Sequence, residues 1–304
     1  MNKSIFYLHN LTALHAGTGQ GVGVVDLPIA RAKATNLPIV AGSSIKGVLR
    51  DEIFDIFVKK SPYKEMTDEE RKQIIDKNII NPLFGKNENA DHAGAIAFGD
   101  ANLLILPIRS FAGVVAYATC PFILRQYQRD VGKDKKIPQL NDNALISNDS
   151  ILLINDTQIA LEDLDIVANK EELASDWATD IAHAIYPNSP EWQDEFKKRF
   201  VILPDGIFSF LADTATEIRT RIKIDRHTRV VQDGALWTEE NLPADSVLWG
   251  VLGVSQSRDN NNKKSADELA GLLPKDEINL QIGGKHTVGR GFCRLLIADT
   301  KEQK

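Results

Sequence analysis

Cysteine is scarce: Cys120 and Cys293 are the only two in 304 residues, too few for a disulfide framework or a cysteine-built metal centre. No apolar run approaches the ~20 residues needed to span a bilayer. The opening Met-Asn-Lys-Ser-Ile-Phe-Tyr-Leu-His-Asn lacks the long apolar region of a secretion signal, so the expectation is a cytoplasmic chain with no membrane partner. Positive charge is not in excess either, since 36 Lys and Arg stand against 42 Asp and Glu, a net charge of −6. That excludes a protein coating nucleic acid with its whole surface; any such contact must use local basic patches. What the chain does have is 43% hydrophobic residues, enough for a substantial core. Neither an internal repeat nor a low-complexity linker demands a second domain.

Between His9 and Asp26 no side chain is fully charged. Gly17, Gly19, Gly21 and Gly23 alternate there, and without Cβ atoms they let backbone N–H groups approach an anion. Val22, Val24 and Val25 before Asp26, and Pro28 after it, place this acid where a strand should end. A flexible loop with an incidental surface Asp is the competing reading. The G-x-G-x-G spacing, with no helix following, is not a dinucleotide fingerprint.

Two basic patches stand out. Residues 217–229 hold Arg219, Arg221, Lys223, Arg226 and Arg229 against Glu217 and Asp225 only, and residues 283–294 hold Lys285, Arg290 and Arg294 with no acid. In the first, Ile218, Thr220, Ile222 and Ile224 alternate with Arg219, Arg221, Lys223 and Asp225, which is strand period. With Asp233-Gly234 and then Ala235, Leu236 and Trp237, the stretch predicts an extended β-hairpin arm with a basic tip and apolar anchors at its base. An ordinary exposed strand is the plainer alternative.

Elsewhere the pattern is mixed α and β. Strands are expected over 4–14, paired within 95–106, and over 114–119 and 247–256; residues 280–283 feed a glycine turn and a last strand to 296. Helices are expected over 173–185, 192–200 and 266–273, and along Ile45, Val48, Leu49, Ile53, Ile56 and Phe57, with Ser43 or Ser44 as N-cap. That last helix start, ringed by Ser43, Ser44, Lys46 and Arg50, suits a phosphate, although it lacks the Walker A pattern. The order β-α-β-β-α-β with long excursions predicts an α+β, ferredoxin-like core. Loops 132–143 and 257–264 are expected to be mobile. Asp176, Asp180 and His183 could share a helix face, and Asp91-His92 could pair, but a solvated face and a plain loop are the simpler readings.

Three stretches carry a family resemblance: Leu37-Pro-Ile-Val-Ala-Gly-Ser-Ser-Ile-Lys-Gly-Val-Leu-Arg50, Phe98-Gly-Asp-Ala-Asn-Leu-Leu-Ile-Leu-Pro-Ile-Arg-Ser110, and Ile282-Gly-Gly-Lys-His-Thr-Val-Gly-Arg-Gly291. In order, they resemble the RAMP superfamily of CRISPR proteins. Thr119-Cys-Pro-Phe-Ile-Leu124 and the arm from Arg219 to Trp237 with Glu239-Glu-Asn-Leu-Pro243 resemble the repeated backbone subunit of type III-B (Cmr) effector complexes.

The resemblance implies one elaborated domain over 1–304, with an RRM-derived palm and a thumb hairpin at about 214–243. It implies copies stacked in a helical filament along a CRISPR guide RNA, other effector subunits as partners, and metal-dependent endonucleolytic cleavage of target RNA beside each thumb, in antiviral defence. By position Asp26 matches the family's catalytic acid, and His15 shares its loop. A single carboxylate predicts a weakly held divalent metal, Mg²⁺, completed by the substrate. Guide binding falls to Ser43, Ser44, Lys46 and Arg50, to Gly283, Gly284, Lys285, His286 and Arg290, and to Arg219, Arg221, Lys223, Arg226 and Arg229 on the arm. Two alternatives stay open: a purely structural guide-binding filament subunit, and a stand-alone RAMP ribonuclease that processes repeat RNA with His15 as acid or base.

Overall fold

A computed structural model of the chain describes residues 1–19, 21, 25–86 and 92–298; Val22, Gly23, Val24 and Asp91 lie outside the described residues. The first part runs β1 (Asn2–Asn10), β2 (Ile39–Val40), α1 (Gly42–Val58), α2 (Asp68–Ile75), α3 (Asn81–Phe84), β3 (Ile96–Phe98), β4 (Ala101–Arg109), β5 (Val115–Thr119) and α4 (Pro121–Val131). The middle adds β6 (Ala144–Ile146), β7 (Gln158–Leu161), β8 (Leu164–Lys170), α5 (Glu172–Ile185), α6 (Pro190–Arg199), β9 (Phe200–Ile202) and α7 (Asp205–Thr214). The last part is β10 (Glu217–Ile224), β11 (Val231–Asn241), β12 (Val247–Val254), α8 (Ala266–Ala270), β13 (Ile278–Gln281) and β14 (Phe292–Ile297).

Among the described residues, one mixed sheet runs β13-β14-β1-β12-β4-β5-β9-β6-β8-β7, with β2 on β4 and β3 on β12. Its centre, β14-β1-β12-β4, is antiparallel throughout. Val247-Leu-Trp-Gly-Val-Leu-Gly-Val254 has no charged residue, as a strand covered on both faces requires, and pairs with β1 from Asn2↔Val254 to His9↔Val247. Gly250 makes this packing possible: a Cβ there would stand 2.3 Å from the Phe6 ring, which itself meets Phe98 edge-on.

Several expectations change. The strands within 95–106 do not pair with each other, because Gly99 stays hydrogen-bonded to the Val251 carbonyl and the chain continues along the same partner, so β3 and β4 both add to β12. The first strand stops at Asn10, since Leu11 turns to bond the Phe292 carbonyl, and Leu14 keeps only a single bridge to Leu242. Phe200 leaves α6 to start β9, and α8 ends at Ala270. In the two loops expected to be mobile, Trp177 Nε1 donates to the Lys136 carbonyl, Lys135 pairs with Asp180 at 2.9 Å, and Asn262 donates to the Lys77 carbonyl. Asp180 is thus engaged with lysines, and His92 faces Asp259 at 3.6 Å. Among the described residues no group of three His, Cys, Asp or Glu could hold a metal, and no helix is long and apolar enough to cross a membrane.

Neither Ser43 nor Ser44 caps α1. Its cap residue is Ala41, and the first helical N–H, that of Gly42, donates 2.9 Å to Asp100 Oδ1 from the turn before β4. Only glycine fits at this first helical position: a Cβ at Gly42 would meet the Phe98 and Gly99 carbonyls at 2.4 and 2.6 Å. Both serines lie exposed in the first turn. Gly42→Ala should therefore cost about 1–3 kcal/mol, as overpacking against an unyielding neighbour does, read as a lower urea midpoint with unchanged slope.

Candidate functional site at the base of the hairpin arm

β10 and β11 form a two-stranded sheet of their own, in register from Glu217↔Asn241 to Ile222↔Leu236, with a shift before Ile224↔Val231. The predicted alternation is present, but the apolar face is bare: Ile218, Ile222, Ile224 and Leu236 are all exposed. At the tip, the Asp225 carboxylate accepts from the backbone N–H groups of Thr228 and His227, which holds its pKa below the usual value. Arg219 pairs with Glu217 at 2.7 Å and Arg221 stands 3.9 Å from Glu239. Lys223, Arg226 and Arg229 have no carboxylate within 4 Å among the described residues.

The base of the arm is anchored by acids, not by the apolar residues expected there. Glu239, Glu240 and Asn241 are buried, at 1%, 6% and 0% exposure, while Trp237 stays partly exposed. Strand period sends neighbouring side chains to opposite faces. Thr238 and Glu240 share one face and hold the loop that carries Asp26. Thr238 donates to Asp26 Oδ2 through its N–H at 2.7 Å and its hydroxyl at 2.8 Å. These bonds, the backbone one foremost, hold the exposed Asp26 carboxyl below its ordinary pKa. Backbone bonds from Leu27 to the Thr238 carbonyl and from Glu240 to the Leu27 carbonyl lay this loop along β11. Glu240 accepts from the Ile29 N–H at 3.0 Å and pairs with Arg31 at 2.6 Å.

Trp237 and Glu239 share the other face and hold the glycine-rich loop of residues 283–291. Glu239 Oε1 takes Lys285 Nζ at 2.8 Å and the Trp237 indole N–H at 2.7 Å. Lys285 Nζ also lies 5.8 Å from the Trp237 ring centroid. Burial alone would raise the Glu239 pKa, but the bonds from Lys285 and Trp237 and the charges of Lys285 and Arg221 outweigh it, leaving the value below 4.5. Gly283, at φ +82°, lets the loop cross the first one, since a Cβ there would stand 2.3 Å from the His15 carbonyl oxygen, which accepts the Gly284 N–H. Arg290 is buried beside Arg219 and Arg221, and burial followed by the charge of Arg219 lowers its pKa.

The two loops enclose a cleft of about 450 Å³ lined by Gly21, Asp26, Leu27, Trp237 and Lys285. Of the sequence-predicted residues, Asp26 and Lys285 meet here. His15 lies behind, 6% exposed, with ring Nδ1 at 2.7 Å from the Glu240 carbonyl and Nε2 packed against Gly17. His286 is exposed, and its Nε2 lies 2.8 Å from the Gly283 carbonyl. The helix-start group does not line this cleft. Lys46 donates to the Ile96 carbonyl, and burial together with the charges of Arg50 and Arg258 lowers its pKa. Arg258 thus belongs with that group. No local pattern marks Arg258, inside a polar loop, or Thr238 and Arg31, and Glu240 stands out only within the family-like stretch Glu239 to Pro243.

A sequence model described as the RAMP superfamily matches residues 7–294. The chain belongs to the RAMP superfamily. Within it, the "CRISPR system Cmr endoribonuclease Cmr4" of Pyrococcus furiosus is 33% identical over 98% of this chain and 97% of that protein. The "CRISPR system CMR subunit Cmr4" of Saccharolobus solfataricus is 26% identical, over 95% of this chain and 94% of that protein. The crystal structure of oligomeric Cmr4 from Pyrococcus furiosus superposes with a TM-score of 0.66 at 29% identity, covering 98% of each chain. A chain from the cryo-EM structure of the type III-B Cmr-beta complex bound to cognate target RNA shares the fold, with a TM-score of 0.72 at 20% identity, over 100% of this chain and 99% of that one. The mixed α+β sheet is therefore that of Cmr4-type RAMP proteins.

The Glu239 clamp has a pH signature. Because folding depresses its pKa, the stabilisation is complete above the unfolded value of 4.5 and is lost as pH falls through the lower folded value. Glu239→Gln should cost about 1.5–3 kcal/mol at pH 7, typical of a hydrogen bond to a charged group. That cost should shrink in urea titrations repeated at about pH 3.

Proposed function

We propose that this chain is the guide-RNA-binding backbone subunit of a multi-subunit CRISPR effector complex in the cytoplasm, and that it cuts guide-paired target RNA at Asp26. The observation carrying this reading is the Asp26 carboxylate itself: clamped by Thr238 through one oxygen, exposed at the mouth of a cleft, and accompanied there by the ammonium of Lys285. Its relatives' names supply the substrate class, and their oligomeric and complex-bound structures supply the assembly. The strand order β14-β1-β12-β4 is fourth-first-third-second in chain order and antiparallel, which supports a ferredoxin-like palm; the arm is then its thumb.

In the reaction, the 2′-oxygen of one target nucleotide bonds to the adjacent phosphorus while the bond to the 5′-oxygen of the next nucleotide breaks. The 2′-hydroxyl proton is released and the departing oxygen takes one up, leaving a 2′,3′-cyclic phosphate and a 5′-hydroxyl. Asp26, kept ionised by Thr238, orients the attacking hydroxyl, and Lys285 offsets the negative charge that grows on the phosphate oxygens. Asp26 would hold a magnesium ion as a single carboxylate, through an Oδ1 that has no bond to another described residue, the remaining ligands being left to substrate and water. Such an ion would neutralise phosphate charge.

Lys285, tied to Glu239, is assigned to the cut strand. Guide phosphates fall to Ser43, Ser44, Lys46, Arg50 and Arg258, to His286 and Arg290, and to the arm cations. His15 is assigned to positioning, because its ring is buried and bonded to the Glu240 carbonyl.

Asp26→Asn in the reconstituted complex should slow target cleavage at least about a hundredfold, while guide loading, followed by co-purified RNA, stays at the wild-type level. Full-rate cutting by that variant would leave only the structural filament reading. Replacing Lys223, Arg226 and Arg229 together by Ala should flatten the dependence of log K on log salt by about 2, at about 0.7 per lost single-strand phosphate contact.

A further inference from the structure

Among the described residues, Trp237 is the one aromatic side chain lining the Asp26 cleft, and it is not buried as a core anchor. Its indole is fixed before any ligand arrives, because Nε1–H donates to Glu239 Oε1 at 2.7 Å and Glu239 is itself held by Lys285 at 2.8 Å. The cleft therefore presents a pre-oriented aromatic ring, a carboxylate and an ammonium within about 450 Å³. A single nucleotide matches all three: its base stacks on the ring, its ribose hydroxyl meets the carboxylate, and its phosphate meets the ammonium.

We propose that Trp237 is the stacking platform for the base of the target nucleotide whose 2′-hydroxyl attacks. This rests on the cleavage reading above and adds how that nucleotide is held. In an A-form duplex the hydroxyl is not in line with its own phosphate, so the nucleotide must leave the stack, which costs the contacts it made there. The indole face replaces them. Because every base has a π-face, the platform reads no base edges, and cutting follows guide pairing irrespective of which base sits there.

The test uses the assembled complex with guide RNA and single-turnover cleavage. Trp237→Ala should slow cleavage by about ten- to a hundredfold for all four bases at the scissile position, with target affinity unchanged. Trp237→Phe, which keeps a ring but loses the N–H donor, should stay within about threefold of wild type. If Phe is as slow as Ala, the bond to Glu239 is what matters and the platform is overturned; a wild-type rate for Ala overturns it as well.

A second readout is independent of rate. With 2-aminopurine at the nucleotide 5′ of the mapped cut, bound to an Asp26→Asn complex, fluorescence should be quenched with Trp or Phe at 237 and bright with Ala. Equal signals in all three would overturn the platform while leaving Asp26 in place. Undiminished cutting by the Asp26→Asn complex would instead remove the cleavage reading, whatever residue 237 does.

Discussion

Two adjacent buried carboxylates, Glu239 and Glu240, hold the base of the arm and its two loops together. Strand geometry points neighbours to opposite faces, so consecutive residues of β11 seize different loops. Glu239 binds Lys285 and the Trp237 indole; Glu240 binds Arg31 and the Ile29 amide. A buried carboxylate without partners is strongly unfavourable, and each of these is satisfied only if its loop closes onto the strand. Loop closure is thus tied to the acids' burial. Residues more than two hundred positions apart in the chain, Asp26 and Trp237 among them, are brought to one cleft this way.

The arm itself contrasts with its base. Beyond Trp237 it has no core, and a solitary two-stranded hairpin is marginal in water. Its apolar face, with Ile218, Ile222, Ile224 and Leu236, lies open to solvent. The pairing of its two strands, the capped turn at Asp225 and the anchored base restrain it. Such a projection suits a chain whose relatives are oligomeric and found in larger complexes.

Much of this was legible beforehand because it follows local patterns. Val247 to Gln256 reads as a buried strand and forms one as far as Val254, alternation from 218 reads as an arm, and Leu173 to Ile185 reads as a helix. What was not legible depends on partners distant in sequence. Ser43 and Ser44 look like caps until Asp100, from another turn, takes that place, and no spacing rule links them. Lys285 reads as a free phosphate ligand until Glu239 claims it. Glu239 and Glu240 carry only a family likeness in sequence, because the burial that gives them force is created by the loops they hold. Trp237 looked like an apolar anchor because aromatic composition does not say which face is left uncovered.

The two hydrogen bonds that Thr238 donates to Asp26 tie the acid to the arm. Thr238 belongs to β11, the same strand that runs outward to the tip, and its amide and hydroxyl both grip one oxygen of the acid. Lys285 is moored to the opposite side of the same strand through Glu239. The spacing between carboxylate and ammonium is thus set within one short run of β11, residues 237–239, and not by the two separate loops that carry them.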